Sequence, residues 1–355
     1  MTRRVLVVRL DNTGDVLLAG PAVRAVAAHA DHVTVLAGPA GAAAARLLPG
    51  VNEVLAWRAP WVELSAPPVR AGDVQALVRR LAAGAFAEAL VLTSFHQSPL
   101  PTALVLRLAG IRRIAAISGD YPGSLLDVRH RLDDDIPEAE RGLSLARAAG
   151  FELPAADNGR LAVRDPLPRV GHLTGPAPYL VLHPGASAPA RRWPLQRWAE
   201  AVTELARRGR RAVLTGGRDE QGMTTAAAGL GRDAPAGAVV NLGGRTSLEQ
   251  LAAVLAGADA VIVGNTGVAH LAAAVDTPVV SLFAPVVPAA RWAPYGVPHV
   301  LMGDQSAPCR GSRAVTCPVP GHPCLAQVTA GQVGDAVDML TGRLAITRRL
   351  HAEPA

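Results

Sequence analysis

Short apolar runs recur along the chain, each closed by a small or polar turn and followed by a stretch with helical spacing. In the first half these runs are Val5–Leu10, His32–Leu36, Asn52–Ala56, Ala89–Leu92 and Arg113–Ile117, alternating with Ala- and Arg-rich helical segments. Between Asp157 and Pro178 the rhythm gives way to Gly, Pro and polar residues, which reads as a linker. A second series follows at Tyr179–His183, Arg211–Thr215, Ala238–Leu242, Ala260–Val263 and Val279–Phe283. Strands that alternate with helices predict βαβ units and parallel sheets. The expected class is α/β, with two doubly wound domains over residues 1–165 and 176–330 facing a central cleft. The stretch 331–355 is expected to be helical and able to cross back onto the first domain.

The opening run VLVVRL has the composition of a buried parallel strand. It leads at once into Asp11-Asn12-Thr13-Gly14-Asp15 and a helical stretch from Val16 to Ala28. An acidic residue on such a turn sits at the carboxyl edge of the sheet, where open α/β folds place their ligands. A carboxylate there can take a proton from a substrate hydroxyl. The plainer role for Asp15 is to complement the helix dipole.

Composition narrows the class. A length of 355 residues suits two domains better than one. Half the chain is hydrophobic, yet nothing approaches the ~18 uninterrupted apolar residues of a membrane span. Arg9 and Asp11 interrupt the first apolar stretch, so no signal peptide is expected and the location is expected to be cytoplasmic. The chain has no lysine, and its formal charge of +6 rests on scattered arginines. With few aromatic side chains to stack on bases, nucleic acid is not an expected partner. A basic surface suits anionic substrates, or peripheral contact with the inner face of an anionic membrane.

The second half carries the anion chemistry. The strand YLVLH is followed by Pro184-Gly185-Ala186-Ser187 and then Arg191-Arg192-Trp193-Pro194. A small-residue turn admits phosphate to backbone N–H groups, and arginines neutralise it. Gly264-Asn265-Thr266-Gly267-Val268-Ala269-His270 joins the strand AVIV to a helix, as at a helix N-terminal anion site. Taken alone, Thr266 reads as an N-cap and His270 as a core histidine. Gly216-Gly217-Arg218-Asp219-Glu220 follows the strand AVLT at the same sheet edge. Three loops on one edge point to a nucleotide-diphosphate site.

These blocks carry a family resemblance. VLVVRLDNTGDVLLAGPAVRAV, HPGASAPARRWPLQRWAEAV and the run from SLEQLAAVLAGADAVIVGNTGVAHLAAAV to TPVVSLFAP stand in the right order to resemble glycosyltransferase family 9. That family is the ADP-heptose:lipopolysaccharide heptosyltransferase type, and the resemblance covers nearly the whole length. It implies the GT-B fold of two Rossmann-like domains, with acceptor on the first half and nucleotide sugar on the second. It also implies an inverting transfer of heptose from ADP-heptose to a hydroxyl of a glycan, glycolipid or small-molecule acceptor, as in lipopolysaccharide core biosynthesis. Asp15 would be the catalytic base. Ser187, Arg191 and Arg192 would face the donor phosphates, Glu220 the ribose, and Asn265, Thr266, Gly267 and His270 the diphosphate and sugar. Two positions depart from the pattern: Arg192 stands where lysine is usual, and Asn265 where aspartate is usual. The guanidinium keeps the charge with another geometry, and the amide bonds a sugar hydroxyl without a charge.

Arginine and a helix N-terminus stabilise a leaving diphosphate without a divalent ion, so no metal and no cofactor is expected beyond the nucleotide-sugar co-substrate. Asp133-Asp134-Asp135 reads as a loop or helix start rather than a metal site. Cys309, Cys317 and Cys324 with His322 lack the tight C-x-x-C pairs of familiar zinc sites. On the acceptor side, Arg9, Asn12, Thr13, Gly14, His96 and Gln97 are the candidates, the last two in the loop Thr93–Ser98. Two other readings stay open: a nucleotide-sugar-binding subunit that no longer transfers, and an epimerase or hydrolase on the same scaffold.

Overall fold

A computed structural model describes residues 2–62, 66–132, 135–230 and 237–350. Of residue 230 and residues 343–350 it describes the helical backbone alone. The chain divides into two compact units, Met1–Arg164 and Asp165–Ala355.

The first unit holds six parallel strands: β1 (Arg4–Arg9), β2 (His32–Ala37), β3 (Glu53–Ala56), β4 (Glu88–Val91), β5 (Arg113–Ile117) and β6 (Val128–His130), in the order β3-β2-β1-β4-β5-β6. Helices connect most of them. The residues Val5–Val8 and Ala89–Val91 are buried to 1% exposure or less, because the central strands of such a sheet are covered on both faces. This is why VLVV and ALVL read as continuous apolar runs rather than alternating ones. β6 escapes the hydrophobic pattern: Val-Arg-His is only half-buried at the sheet edge.

The second unit repeats the plan with β7 (Leu180–His183), β8 (Ala212–Leu214), β9 (Val239–Asn241), β10 (Ala260–Gly264), β11 (Val279–Leu282) and β12 (His299–Met302), ordered β12-β11-β10-β7-β8-β9. β12, which begins with His299 at another edge, is likewise absent from the apolar pattern. In both sheets the chain runs outward from a central strand, returns, and runs outward the other way. The direction reverses between β1 and β4 in the first unit and between β7 and β10 in the second. Such switch points are where open α/β folds bind their ligands.

Two boundaries differ from the sequence pattern. The helical stretch from Val16 is two helices, Thr13–Leu18 and Gly20–Ala27, the second entering with Pro21 near its start. The linker begins later than the loss of rhythm suggests. Asp157 accepts two hydrogen bonds from Arg24, at 2.6 and 2.9 Å, and the Arg164 amide donates to the Leu47 carbonyl at 2.8 Å. These contacts fasten residues 157–164 to the first unit. The C-terminal helix Ala330–Leu350 packs on the helix Leu195–Arg207 of the second unit, where Arg208 and Arg210 meet Asp338 at 2.8 and 2.7 Å. The sequence alone allows a crossing to the first unit; these contacts lie within the second. Among the described residues no helix is long and apolar enough to cross a membrane.

Candidate active site

At the first switch point, β1 and β4 run in register with Val8 opposite Val91, so the segments Leu10–Asp15 and Leu92–Gln97 leave the sheet side by side. Asp15 lies in the first turn of the helix Thr13–Leu18 with its side chain 18% exposed. Its Oδ1 accepts a hydrogen bond from Arg9 Nη2 at 3.0 Å. Arg9 is buried, and its guanidinium is enclosed by polar groups. Nε lies 2.9 Å from Asp11 Oδ2, Nη2 also donates to Ser94 Oγ at 2.9 Å, and Nη1 lies 3.6 Å from Glu138 Oε2. Gln97 Nε2 donates to Asp11 Oδ1 at 2.5 Å, and Gln97 Oε1 accepts the Ser94 amide at 3.2 Å.

Burial works against the charge of Arg9, yet Asp11, Asp15 and Glu138 outweigh it and raise the pKa, so the guanidinium stays ionised. Burial also pushes the Asp11 carboxyl up, with Arg9 opposing and Asp15 and Glu138 reinforcing. The sequence-derived candidates therefore sort by exposure. Asn12 and His96 are exposed, His96 edge-on to Phe95 with ring centroids 5.4 Å apart. Thr13 gives its hydroxyl hydrogen to the Ala40 carbonyl at 2.8 Å, and Gly14 is buried. Arg9 and Gln97 spend their side chains within the cluster. Glu138 and Arg141 belong to the same network and leave no mark in the sequence. The helix start Glu-Ala-Glu-Arg reads as a solvated face, but Glu138 is 3% exposed.

At the second switch point β7 and β10 run in register with His183 opposite Val263. The turn after His183 depends on Gly185: a Cβ there would lie 2.0 Å from Glu220 Oε1, so the glycine makes room for that carboxylate. Glu220 Oε2 in turn accepts the Gly217 amide at 2.8 Å and lies 3.7 Å from His183 Nε2. Burial holds the His183 imidazole below its ordinary value despite Glu220, while Nδ1 meets the Thr215 hydroxyl at 3.0 Å. Gly264 admits the Arg191 carbonyl, which would lie 3.0 Å from a Cβ. The loop after β7 thus touches each of the other two.

Arg192 is half-buried and donates through Nε to the Ala186 carbonyl at 2.9 Å. Trp193 anchors the segment from behind. It is buried edge-on to Trp198, with centroids 5.2 Å apart, and its indole N–H meets the Val328 carbonyl. Ser187 is exposed, and Arg191 is half-buried. Thr266 caps the helix Gly267–Ala274, its Oγ1 accepting the Val268 amide at 3.3 Å; Gly267 begins that helix and His270 is buried within it. Asn265 is 6% exposed, and among the described residues neither Oδ1 nor Nδ2 has a hydrogen-bond partner. A buried amide with nothing to bond costs about 1–3 kcal/mol, so beside this capped helix N-terminus a ligand would gain by supplying the missing bonds.

The cysteine cluster resolves as core. Cys309 and Cys324 are buried in the second unit and all three thiols are free. Burial first, then the neighbouring Cys309 and Cys317, push the Cys324 thiol up to about 12. His322 Nε2 lies 3.0 Å from the Ala190 carbonyl. Among the described residues no group of three or more His, Cys, Asp or Glu side chains is arranged to hold a metal ion. Asp133 and Asp134 lie outside the described residues.

Two doubly wound units, the first with a carboxylate at its switch point and the second with arginine, turn amides and a helix N-terminus, have the architecture of GT-B glycosyltransferases. The chain belongs to glycosyltransferase family 9, the heptosyltransferase family, whose model matches residues 74–320. Lipopolysaccharide heptosyltransferase 1 of Pseudomonas aeruginosa is 35% identical over 182 residues, covering 48% of this chain and 46% of that protein. The chain spans less than half the length of the curated relatives it matches. The fold is shared across the whole chain with a family 9 glycosyltransferase from Veillonella parvula, at a TM-score of 0.78 and 17% identity over 96% of this chain and 98% of that one. It is shared also with Escherichia coli heptosyltransferase WaaC, solved with ADP, at 0.67 and 21% identity over 97% and 99%.

Proposed function

We propose that the protein transfers heptose from ADP-heptose to a hydroxyl of a lipopolysaccharide-core glycan, with inversion, and that Asp15 is the general base. The observation that carries this reading is the pair of switch points: an ionisable carboxylate at one, and at the other the buried Asn265 amide in want of a partner beside a helix N-terminus and Arg192. Asp15 Oδ2 accepts the acceptor proton as the hydroxyl oxygen attacks the anomeric carbon, and the bond to the diphosphate breaks on the opposite face. Charge then grows on the leaving ADP. Arg192 and the amides at the start of the helix Gly267–Ala274 are the groups suited to meet it. Asn265 bonds a donor hydroxyl or phosphate oxygen through its amide. The carboxylate usual at this position would repel a phosphate; the amide accommodates either group. The resemblance to heptosyltransferases and the ADP held by the Escherichia coli relative support ADP-heptose as the donor.

The test is incubation with ADP-heptose, a GDP-sugar or a UDP-sugar, and heptose-deficient lipopolysaccharide core, read as nucleotide release and product mass. Acceptor-dependent ADP release with a gain of one heptose supports the reading. Release without a heavier product would make the protein a hydrolase, and binding without release a nucleotide-sugar-binding subunit. The same assay in EDTA is expected to keep its rate, because the proposed stabilisers are arginine and backbone amides. Loss restored by Mg²⁺ would bring the segment 133–135 back into the chemistry.

A further inference from the structure

The first switch point holds more charge than a single base requires. Asp11 and Asp15 follow β1, Glu138 opens the helix Glu138–Ala148, and all three carboxylates face one guanidinium. Arg141, on the same helix as Glu138, approaches it to 3.8 Å and donates to the Thr93 carbonyl at 2.6 Å. From the β4 side come the neutral Ser94 and Gln97. The neighbouring β6 brings His130, which meets Ser144 Oγ at 3.1 Å and is held below its ordinary pKa by burial and by Arg141. Counting these ionisable groups, three carboxylates stand against two guanidiniums, and Arg9 alone touches all three acids.

We propose that Arg9 is the positioning residue of the transfer reaction: its guanidinium pins Oδ1 of Asp15 and offsets the fields of Asp11 and Glu138, so that Oδ2 is left to face the acceptor hydroxyl. This rests on Asp15 being the base. The geometry supplies the reason. Arg9 Nη2 divides its hydrogen bonds between Asp15 Oδ1 and Ser94 Oγ, while Nε and Nη1 are turned to the two other carboxylates. Among the described residues nothing bonds Asp15 Oδ2, the oxygen left for substrate. Like charges a few ångströms apart in a buried site cannot all stay ionised unless a cation is shared among them. Arg9 is also too enclosed to touch an acceptor, which moves it from substrate contact to support.

The experiment compares wild type with Arg9→Met, Arg9→Lys and Arg9→Met/Asp11→Asn across pH, in the ADP-heptose and lipopolysaccharide-core assay, with ADP affinity and thermal melting as controls. Arg9→Met is expected to lower kcat near neutral pH roughly 10-fold to 100-fold and to move the acid limb of the kcat profile to higher pH, with ADP affinity unchanged. Arg9→Lys keeps the charge without the fork, and its limb should fall between the two. Adding Asp11→Asn removes one of the competing acids and should bring the limb back toward wild type, which a purely structural role would not do. A folded Arg9→Met whose acid limb stays put overturns the proposal. If that variant does not fold, an unmoved limb in Arg9→Lys does the same. Asp15→Asn run in parallel separates the two ideas. Its retention of more than half the rate would remove Asp15 as base, whereas an inactive Asp15→Asn beside unmoved Arg9 variants would sink only the role of Arg9.

Discussion

The two switch points occupy the same place in the same topology, yet they meet their polar groups in opposite ways. At the first, the polar groups are bonded largely to one another: Arg9 is shared among Asp11, Asp15, Glu138 and Ser94, and Gln97 is spent on Asp11 and the Ser94 amide. At the second, Asn265 has no hydrogen-bond partner among the described residues, and Ser187 stands exposed on the turn. A network of ion pairs around one guanidinium fixes geometry before substrate arrives, which suits a group that must hold one charge state in one direction. An unsatisfied site gains when a ligand supplies the missing bonds, which suits a group that must bind and release a nucleotide. The repeated fold thus serves as a template on which each copy carries a different polar arrangement: charges gathered on one guanidinium at the first, a buried neutral amide beside a helix N-terminus at the second.

The hardest blow to the comparison falls on the first copy. Asp15→Asn keeps the size of the side chain and its bond from Arg9 but cannot take a proton. General-base loss costs roughly 10²–10⁴ in rate, so kcat should drop by that factor while ADP affinity holds. Kinetics at saturating donor, with calorimetry on ADP, checks both halves. Turnover above half the parent rate would reduce Asp15 to a helix-dipole residue.

In the second copy the largest effect belongs to Arg192. A charge-assisted hydrogen bond contributes about 1.5–3 kcal/mol, so Arg192→Ala should raise the Kd for ADP roughly 10-fold to 100-fold. Because charge builds on the leaving diphosphate, kcat should fall as well. Arg192→Lys should recover part of the affinity, since the ammonium keeps the charge and loses the fork. Unchanged ADP binding in Arg192→Ala would mean that this loop is not the phosphate site.

Much of this was legible in the residues. VLVV, ALVL, LVLH and AVIV announce the central strands because both of their faces are buried and each is apolar throughout. The edge strands Val128–His130 and His299–Met302 stay hidden, being short, half-exposed and mixed in character. The candidate site divides along the same line. Gly264-Asn265-Thr266 reads as a strand-to-helix anion loop because the signal is contiguous. Glu138 and Arg141 stand more than a hundred residues from Asp15 in a segment with the composition of a solvated helix face. Only the return of the chain beside β5 and β6 turns them inward, and no spacing rule reports that. Gly185 is a middle case. The Gly itself is visible, but its partner Glu220 is known only once the loops meet.

That contact gives a smaller test. Gly185→Ala places a Cβ where the Glu220 carboxylate sits, and a carboxylate at the end of a flexible side chain can swing away. The fold should survive with little change in melting temperature, while Glu220 loses its bond to the Gly217 amide. If Glu220 faces the nucleoside, ADP affinity should fall by about one hydrogen bond, ~1 kcal/mol or several-fold in Kd, and Glu220→Ala should match it. Loss in Glu220→Ala with none in Gly185→Ala would show that the carboxylate reaches its ligand from either position.

The smallest expected effect concerns the burial of charge at the first switch point, and its sign can be worked out. Burial is the first cause pushing the Asp11 carboxyl up, and Arg9 offsets it only in part. The folded chain therefore holds that proton more tightly than the unfolded chain does. Its contribution to stability is present below the ordinary carboxylate pKa and is lost as pH rises through the raised folded value. Asp11→Asn removes this dependence and leaves a neutral side chain of the same size whose one oxygen accepts from either Gln97 or Arg9. Relative to wild type, the variant should be least favourable in acid and improve steadily toward neutral pH. Thermal melts of both proteins across that range check the slope. A variant that instead loses ground on going from acid to neutral pH would mean that the ion pair with Arg9 outweighs burial. The first switch point would then be held together by its charges, and not merely tolerant of them.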